Sequence, residues 1–210
     1  MANPTIEQLQ NDERFELITK LKHQQIKEFV IQQLSSESKV IRIYKIYQFL
    51  MILSGMIFLG RSVILAFEAN LLPLKNSLGS LLFSFTFLII IHELLHGIAL
   101  KFVGAKKINF GGYLKKFIFY AEADRLVLNK KQFALVALTP LIVIQLITLG
   151  GVVLFFHQAQ IYFWIILMSS HSLFCAGDIG LLSVFYKHKD SDIFTYDVKA
   201  EKTSYYFRRK

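Results

Sequence analysis

Residues 78–102 read LGSLLFSFTFLIIIHELLHGIALKF. A membrane-crossing helix takes about 20 predominantly apolar residues, and this stretch is long enough. Three ionisable side chains, His92, Glu93 and His96, nevertheless stand inside it. Such groups are expensive in hydrocarbon and mark function by default. Their spacing is H-E-x-x-H. On a helix, positions i and i+4 lie about 40° apart around the axis, so both imidazoles point the same way and can grip one metal ion. Glu93 lies about 100° round from His92, beside such an ion without ligating it. A general base for an attacking water belongs there.

Three further apolar runs flank this one. They cover about Ile46 to Phe67, Phe133 to Phe156, and Ile161 to Phe185. Arg61 near the end of the first can snorkel. Pro140 lies inside the second of these and is expected to kink it, which membrane helices tolerate. The last carries Asp178 and His171. The expected fold is therefore an all-α membrane protein with four transmembrane helices. Of the 210 residues, 54% are apolar and 19% charged, and the apolar ones gather in these runs. That excludes a disordered or collagen-like chain. Cys175 is the single cysteine, so no internal disulfide can form. The first forty residues are polar, and no signal peptide is expected.

The 24 Lys and Arg fall unevenly between the runs. Seven precede the first, eight lie from Lys101 to Lys131, seven follow the last, and only Arg61 and Lys75 fall in or after the first run and before the second. The positive-inside rule then puts both termini and the Lys101–Lys131 loop in the cytoplasm of a prokaryotic cell, with the chain in its membrane. Topology explains the net charge of +9, and no nucleic-acid partner is expected. The periodicity from Asn11 to Leu34 (Phe15, Ile18, Leu21, Ile26, Phe29, Val30) predicts an amphipathic helix. Residues 1–42 are thus expected to form a cytoplasmic amphipathic segment, 43–187 the four-span domain, and 188–210 a basic cytoplasmic tail. Between the second and third spans, Lys106 to Asp124 mixes aromatics (Phe117 among them), β-branched residues and glycine. It reads as a small cytoplasmic-side β-hairpin or extended loop, with a helix restarting near Asn129.

The expected cofactor is Zn2+, which in catalytic sites takes three protein ligands and a water. Two histidines leave one ligand to find. Asp178 and His171, seven residues apart on nearly one face, both qualify. At 1.5 Å per residue, His92, His171 and Asp178 lie about 20, 15 and 26 Å from the outer ends of their spans, so convergence is feasible. Cys175 could be a soft ligand, and Glu122 and Asp124 are rivals in a basic loop. His23, His157 and His188 sit in polar or connecting pieces and are expected to be solvated.

Ile91-His92-Glu93-Leu94-Leu95-His96-Gly97, the later Thr139-Pro140, the triplet Gly177-Asp178-Ile179, and the tail residues Thr195-Tyr196-Asp197 and Tyr206-Phe207 together resemble the zincin peptidases of the DUF3267 family. The resemblance covers about Leu81 to Phe207. That family is similar to the site-2-protease class of intramembrane metalloproteases. It implies zinc ligands His92, His96 and Asp178, with Glu93 as base. The family more often has asparagine where His171 stands, which leaves His171 a catalytic candidate as spare ligand or oxyanion stabiliser. The resemblance also gives the hairpin a role. Gly111-Gly112-Tyr113 matches a substrate-binding β element that holds an unwound substrate strand extended.

The expected function is a zinc-dependent intramembrane peptidase acting on a membrane-protein or peptide substrate. The rival is a non-catalytic membrane protein that binds metal or clients through a zincin-like site. Glu93 speaks against the rival, since a structural site needs no base. Metal transport would call for several sites along a path, and haem ligation does not call for Glu93.

Overall fold

The computed structural model describes residues 3–36, 38–113, 118–187 and 191–210. Expectations resting on Phe117 and His188 fall outside them. In chain order, helix α1 (Ile6–Asn11) leads to strand β1 (Phe15–Lys22), helix α2 (Ile26–Leu34) and the long helix α3 (Lys39–Phe67). Helix α4 (Leu72–Phe83) continues through one π turn, Ser84–Leu88, into α5 (Ile89–Phe102). Strands β2 (Asn109–Tyr113), β3 (Ile118–Glu122) and β4 (Leu128–Asn129) precede α6 (Lys130–Leu154). Helices α7 (Ile161–Phe174) and α8 (Ala176–Lys187) follow, then β5 (Ile193–Val198) and β6 (Thr203–Arg209).

Among the described residues, three helical stretches are long and apolar enough to cross a membrane: Lys39–Phe67, Leu72–Phe102 and Lys130–Leu154. A fourth exists if the pair α7 and α8, broken at Cys175, counts as one span. The first three match the expected runs. The fourth run is not one continuous helix. The expected all-α class also needs correction, because the chain is mostly helical but carries two antiparallel sheets.

The chain divides into two compact units. One comprises Arg42–His92 and Pro140–Ala176. Its interior combines a buried apolar cluster of Ile161, Tyr162 and Ile165 with many small and hydroxyl side chains. Ser62, Ser77, Ser80, Ser84, Thr148 and Ser172 have no exposed surface, and most close back on their own helix, as Ser84 does on the Ser80 carbonyl at 2.8 Å. Phe49, Met56, Ile57 and Ile64 face outward. Lipid is as apolar as leucine, so close packing rather than hydrophobicity selects the interior of such a unit. Gly151 shows this: a Cβ there would lie 2.2 Å from the Trp164 ring.

The other unit comprises Met1–Ile41, Glu93–Thr139 and Gly177–Lys210. Its four-stranded sheet has the order β1-β6-β5-β4, antiparallel throughout. Leu9, Phe194, Tyr196, Val198 and Phe207 form one core on it, and Val184, Phe185, Ile193 and Tyr206 another. The β5–β6 turn closes through Lys202 in the left-handed region, φ 49°. Phe15–Lys22 is a strand, not the first half of an amphipathic helix. A bulge shifts its register between Leu17 and Thr19, so Phe15, Ile18 and Leu21 recur every three residues and imitate a helix. Only the second half of that stretch, α2, is helical. The hairpin expected between Lys106 and Asp124 is present as β2 and β3, with Gly111 opposite Tyr120.

Candidate metal centre

Helix α5 carries His92, Glu93 and His96 within one turn and a quarter. His92 and His96 are buried, with 5% and 7% of their surface exposed, and Glu93 is half-buried. Gly97 follows because the hairpin crowds the helix at this point. Phe110 of β2 lies where a Cβ on Gly97 would sit, at 2.7 Å. The hairpin bearing Gly111, Gly112 and Tyr113 is thereby pinned beside His96. Gly111 in turn leaves room for the Tyr120 ring, 2.6 Å from where a Cβ would be.

His96 is held from two sides. Its Nδ1 lies 3.0 Å from the carbonyl oxygen of Val136. A carbonyl only accepts, so Nδ1 carries the hydrogen and the neutral ring has its lone pair on Nε2. Nε2 faces Oδ1 of Asp178 at 3.2 Å. Nitrogen and carboxylate oxygen can stand at that range when a proton or a metal ion lies between them. Two ligands on one tetrahedral zinc stand about 3.4 Å apart, close to the separation seen. The donor set therefore fits a zinc ion. Asp178 reaches this position from the first turn of α8, directly after the break at Cys175.

His92 makes a different pairing. Its Nδ1 lies 3.1 Å from Nε2 of His171, which leaves Nε2 on the opposite edge of the His92 ring. His171 has no exposed surface, and the Cys175 Sγ lies 3.7 Å from its Nε2. His92, His171 and Cys175 thus form a fully buried group whose ligand atoms all lie within 4.8 Å of one another.

The remaining candidates are placed elsewhere. Asp124 accepts the Lys199 amide at 2.8 Å. His157 is exposed as expected, but His23 is not solvated: it is buried 3.8 Å from the buried Glu122 carboxylate, with the Tyr120 ring edge-on to it. Burial pushes the Glu122 carboxyl above its usual range, helped by Asp197 and opposed by Lys199. Burial, with the charge of Lys202, pushes His23 down. Both groups lean toward neutrality, so desolvation outweighs the attraction of an ion pair at this separation.

Val136 was not expected at the site from sequence. The signal for it was arithmetic: Pro140, four residues on, has no N–H to give it.

A protein-family profile matches residues 85–193, just over half of the chain. The family is DUF3267, and its description reads "Putative zincin peptidase". No curated protein and no solved structure matches.

Proposed function

The chain belongs to the DUF3267 zincin-peptidase family, and from that premise we propose that it is a zinc-dependent membrane-embedded peptidase. The observation that carries this reading is the pairing of His96 Nε2 with Asp178 at 3.2 Å, on a helix that presents His92 one turn earlier and Glu93 between. His92 and His96, through Nε2, and Asp178 would hold the ion. Zinc in such a site acts as a Lewis acid toward a scissile carbonyl and toward water. Glu93 takes a proton from the attacking water and returns it to the leaving amine nitrogen. His171 holds the Nδ1 edge of His92, fixing which nitrogen faces the ion. Its complete burial favours this role over contact with substrate. The outer edges of the β2–β3 hairpin offer backbone groups to an unwound substrate segment, with Gly111, Gly112 and Tyr113 on one of its two strands.

On this reading the substrate bond lies in or near the bilayer, which the apolar helices support. The 22-to-2 distribution of basic residues supports cytoplasmic termini. Reporter tags at both termini should be cytoplasmic, and one near Asn76 external. A C-terminal tag on the opposite side from the N-terminal one would mean an odd number of spans.

Glu93→Gln tests the chemistry. The variant keeps the shape but loses the proton acceptor. Cleavage of a membrane peptide should fall about 10²–10⁴-fold, with zinc content unchanged. Normal cleavage by this variant would end the metallopeptidase reading.

A further inference from the structure

In an uninterrupted α-helix the amide of residue 140 would donate to the carbonyl of residue 136. Position 140 is a proline, fully buried, and α6 runs through it from Lys130 to Leu154. Proline has no amide hydrogen and its ring presses on that same carbonyl. The neighbouring Leu135 carbonyl is served by the Thr139 hydroxyl at 2.6 Å. The Val136 carbonyl instead receives Nδ1–H of His96, 3.0 Å away on another helix. A carbonyl released from its helix partner tilts outward from the axis, and outward here is toward His96.

We propose that Pro140 is a positioning residue for the metal centre: by withholding an amide N–H it leaves the Val136 carbonyl to hold His96 with Nε2 toward the ion. The inference rests on the zinc-peptidase reading, because the ring so held is one of its ligands. The helix gives up one internal hydrogen bond, and the oxygen thus released fixes the tautomer and orientation of a ligand. Partners of this kind tune metal affinity through the ligand they hold.

Pro140→Ala restores the N–H and removes the ring. A second chain carries lactic acid at position 140, which is the ester counterpart of alanine and also lacks an N–H. Both are made as full-length, detergent-purified protein. Zinc affinity is measured by competition with a chromophoric chelator, and cobalt(II) is loaded for its ligand-field spectrum. Pro140→Ala should bind zinc about 10–100-fold more weakly, with a shifted cobalt spectrum and a melting temperature equal to or above wild type, since proline inside a helix is destabilising. The lactic-acid chain should retain wild-type affinity and spectrum. Wild-type zinc affinity in Pro140→Ala would overturn the inference and leave the peptidase reading intact. Equal weakening in both chains would assign the effect to the pyrrolidine ring and overturn it as well. A wild-type protein that takes up no zinc would remove the metal reading and this inference together.

Discussion

In the unit formed by Arg42–His92 and Pro140–Ala176, serine hydroxyls are buried and phenylalanines face outward. In the unit formed by Met1–Ile41, Glu93–Thr139 and Gly177–Lys210, Tyr196, Tyr206 and Phe207 are buried while Lys20, Lys22 and Lys27 face outward. The contrast follows what surrounds the long apolar helices, parts of which (residues 93–102 and 130–139) also belong to the second unit, against what surrounds the sheet. Where the surroundings are hydrocarbon, an outward leucine costs nothing, and the interior is chosen for close approach. Where they are water, apolar area drives burial at about 25 cal/mol per Å². The candidate ligands divide in the same way. His96 and Asp178 belong to the sheet-bearing unit, whereas His92 and its partner His171 belong to the helical one.

That division can be broken most sharply at the metal. Asp178→Ala leaves two histidines, and zinc content per purified chain should fall to near zero. His171→Ala removes only a contact behind His92, and zinc affinity should fall about 10–100-fold, with most zinc retained at saturating metal. Full zinc in Asp178→Ala with loss in His171→Ala would move the ion to the His92–His171–Cys175 group of the helical unit.

The solvent contrast gives the next effect. Ile57 and Leu17 are comparably exposed, at 57% and 46%, but one lies mid-helix in α3 and the other on strand β1. Arginine at position 57 should lower membrane insertion by about 2.5–3.5 kcal/mol. Arginine at position 17 should change stability by no more than about 0.5 kcal/mol. Glycosylation-reporter insertion assays and thermal melts measure the two, and equal effects would mean both faces meet the same solvent.

The smallest effect concerns the buried Glu122 of the sheet-bearing unit. Its folded carboxyl titrates above the usual range, chiefly through burial. Ionisation therefore weakens the fold as pH rises through the ordinary glutamate range, and the penalty is absent when the group is protonated. Glu122→Gln cannot ionise. It should raise stability at about pH 7 by about 1 kcal/mol or less, and the gain should vanish at about pH 4. A loss at neutral pH would show instead that the carboxylate is stabilised by a protonated His23.

Legibility from sequence follows the same physical line. The three long apolar helices were readable because a hydrocarbon solvent imposes a demand on every residue of a span in turn. The H-E-x-x-H geometry was readable because it is local to one helix. The β2–β3 hairpin was readable because glycine, aromatic and β-branched residues alternate without helical period. Strand β1 was misread because its bulge gives Phe15, Ile18 and Leu21 a spacing of three. Strands β5 and β6 read as a tail because charge dominates the end of the chain and neither strand alternates: β5 is buried at five of its six positions. The break at Cys175 lies in a polar dip of the last run, with Ser169, Ser170, His171 and Ser172 before it and Gly177 and Asp178 after it, which the run's overall apolar length masks.

The sequence by itself determined the solvent of the long helices, the helix that bears the metal motif, and the residue types available to hold an ion. Each depends on neighbours within one or two helical turns. Only the tertiary structure decided which partners those residues meet. Asp178 lies 82 positions from His96, and Val136 lies 40. Glu16 reaches Arg208 across 192 positions to join the two ends of the chain in one sheet. A side chain of either histidine could satisfy its ring nitrogens with many donors and acceptors. Which ones it receives is set by the packing of distant helices and by a carbonyl that proline leaves unclaimed, and no local pattern encodes that packing.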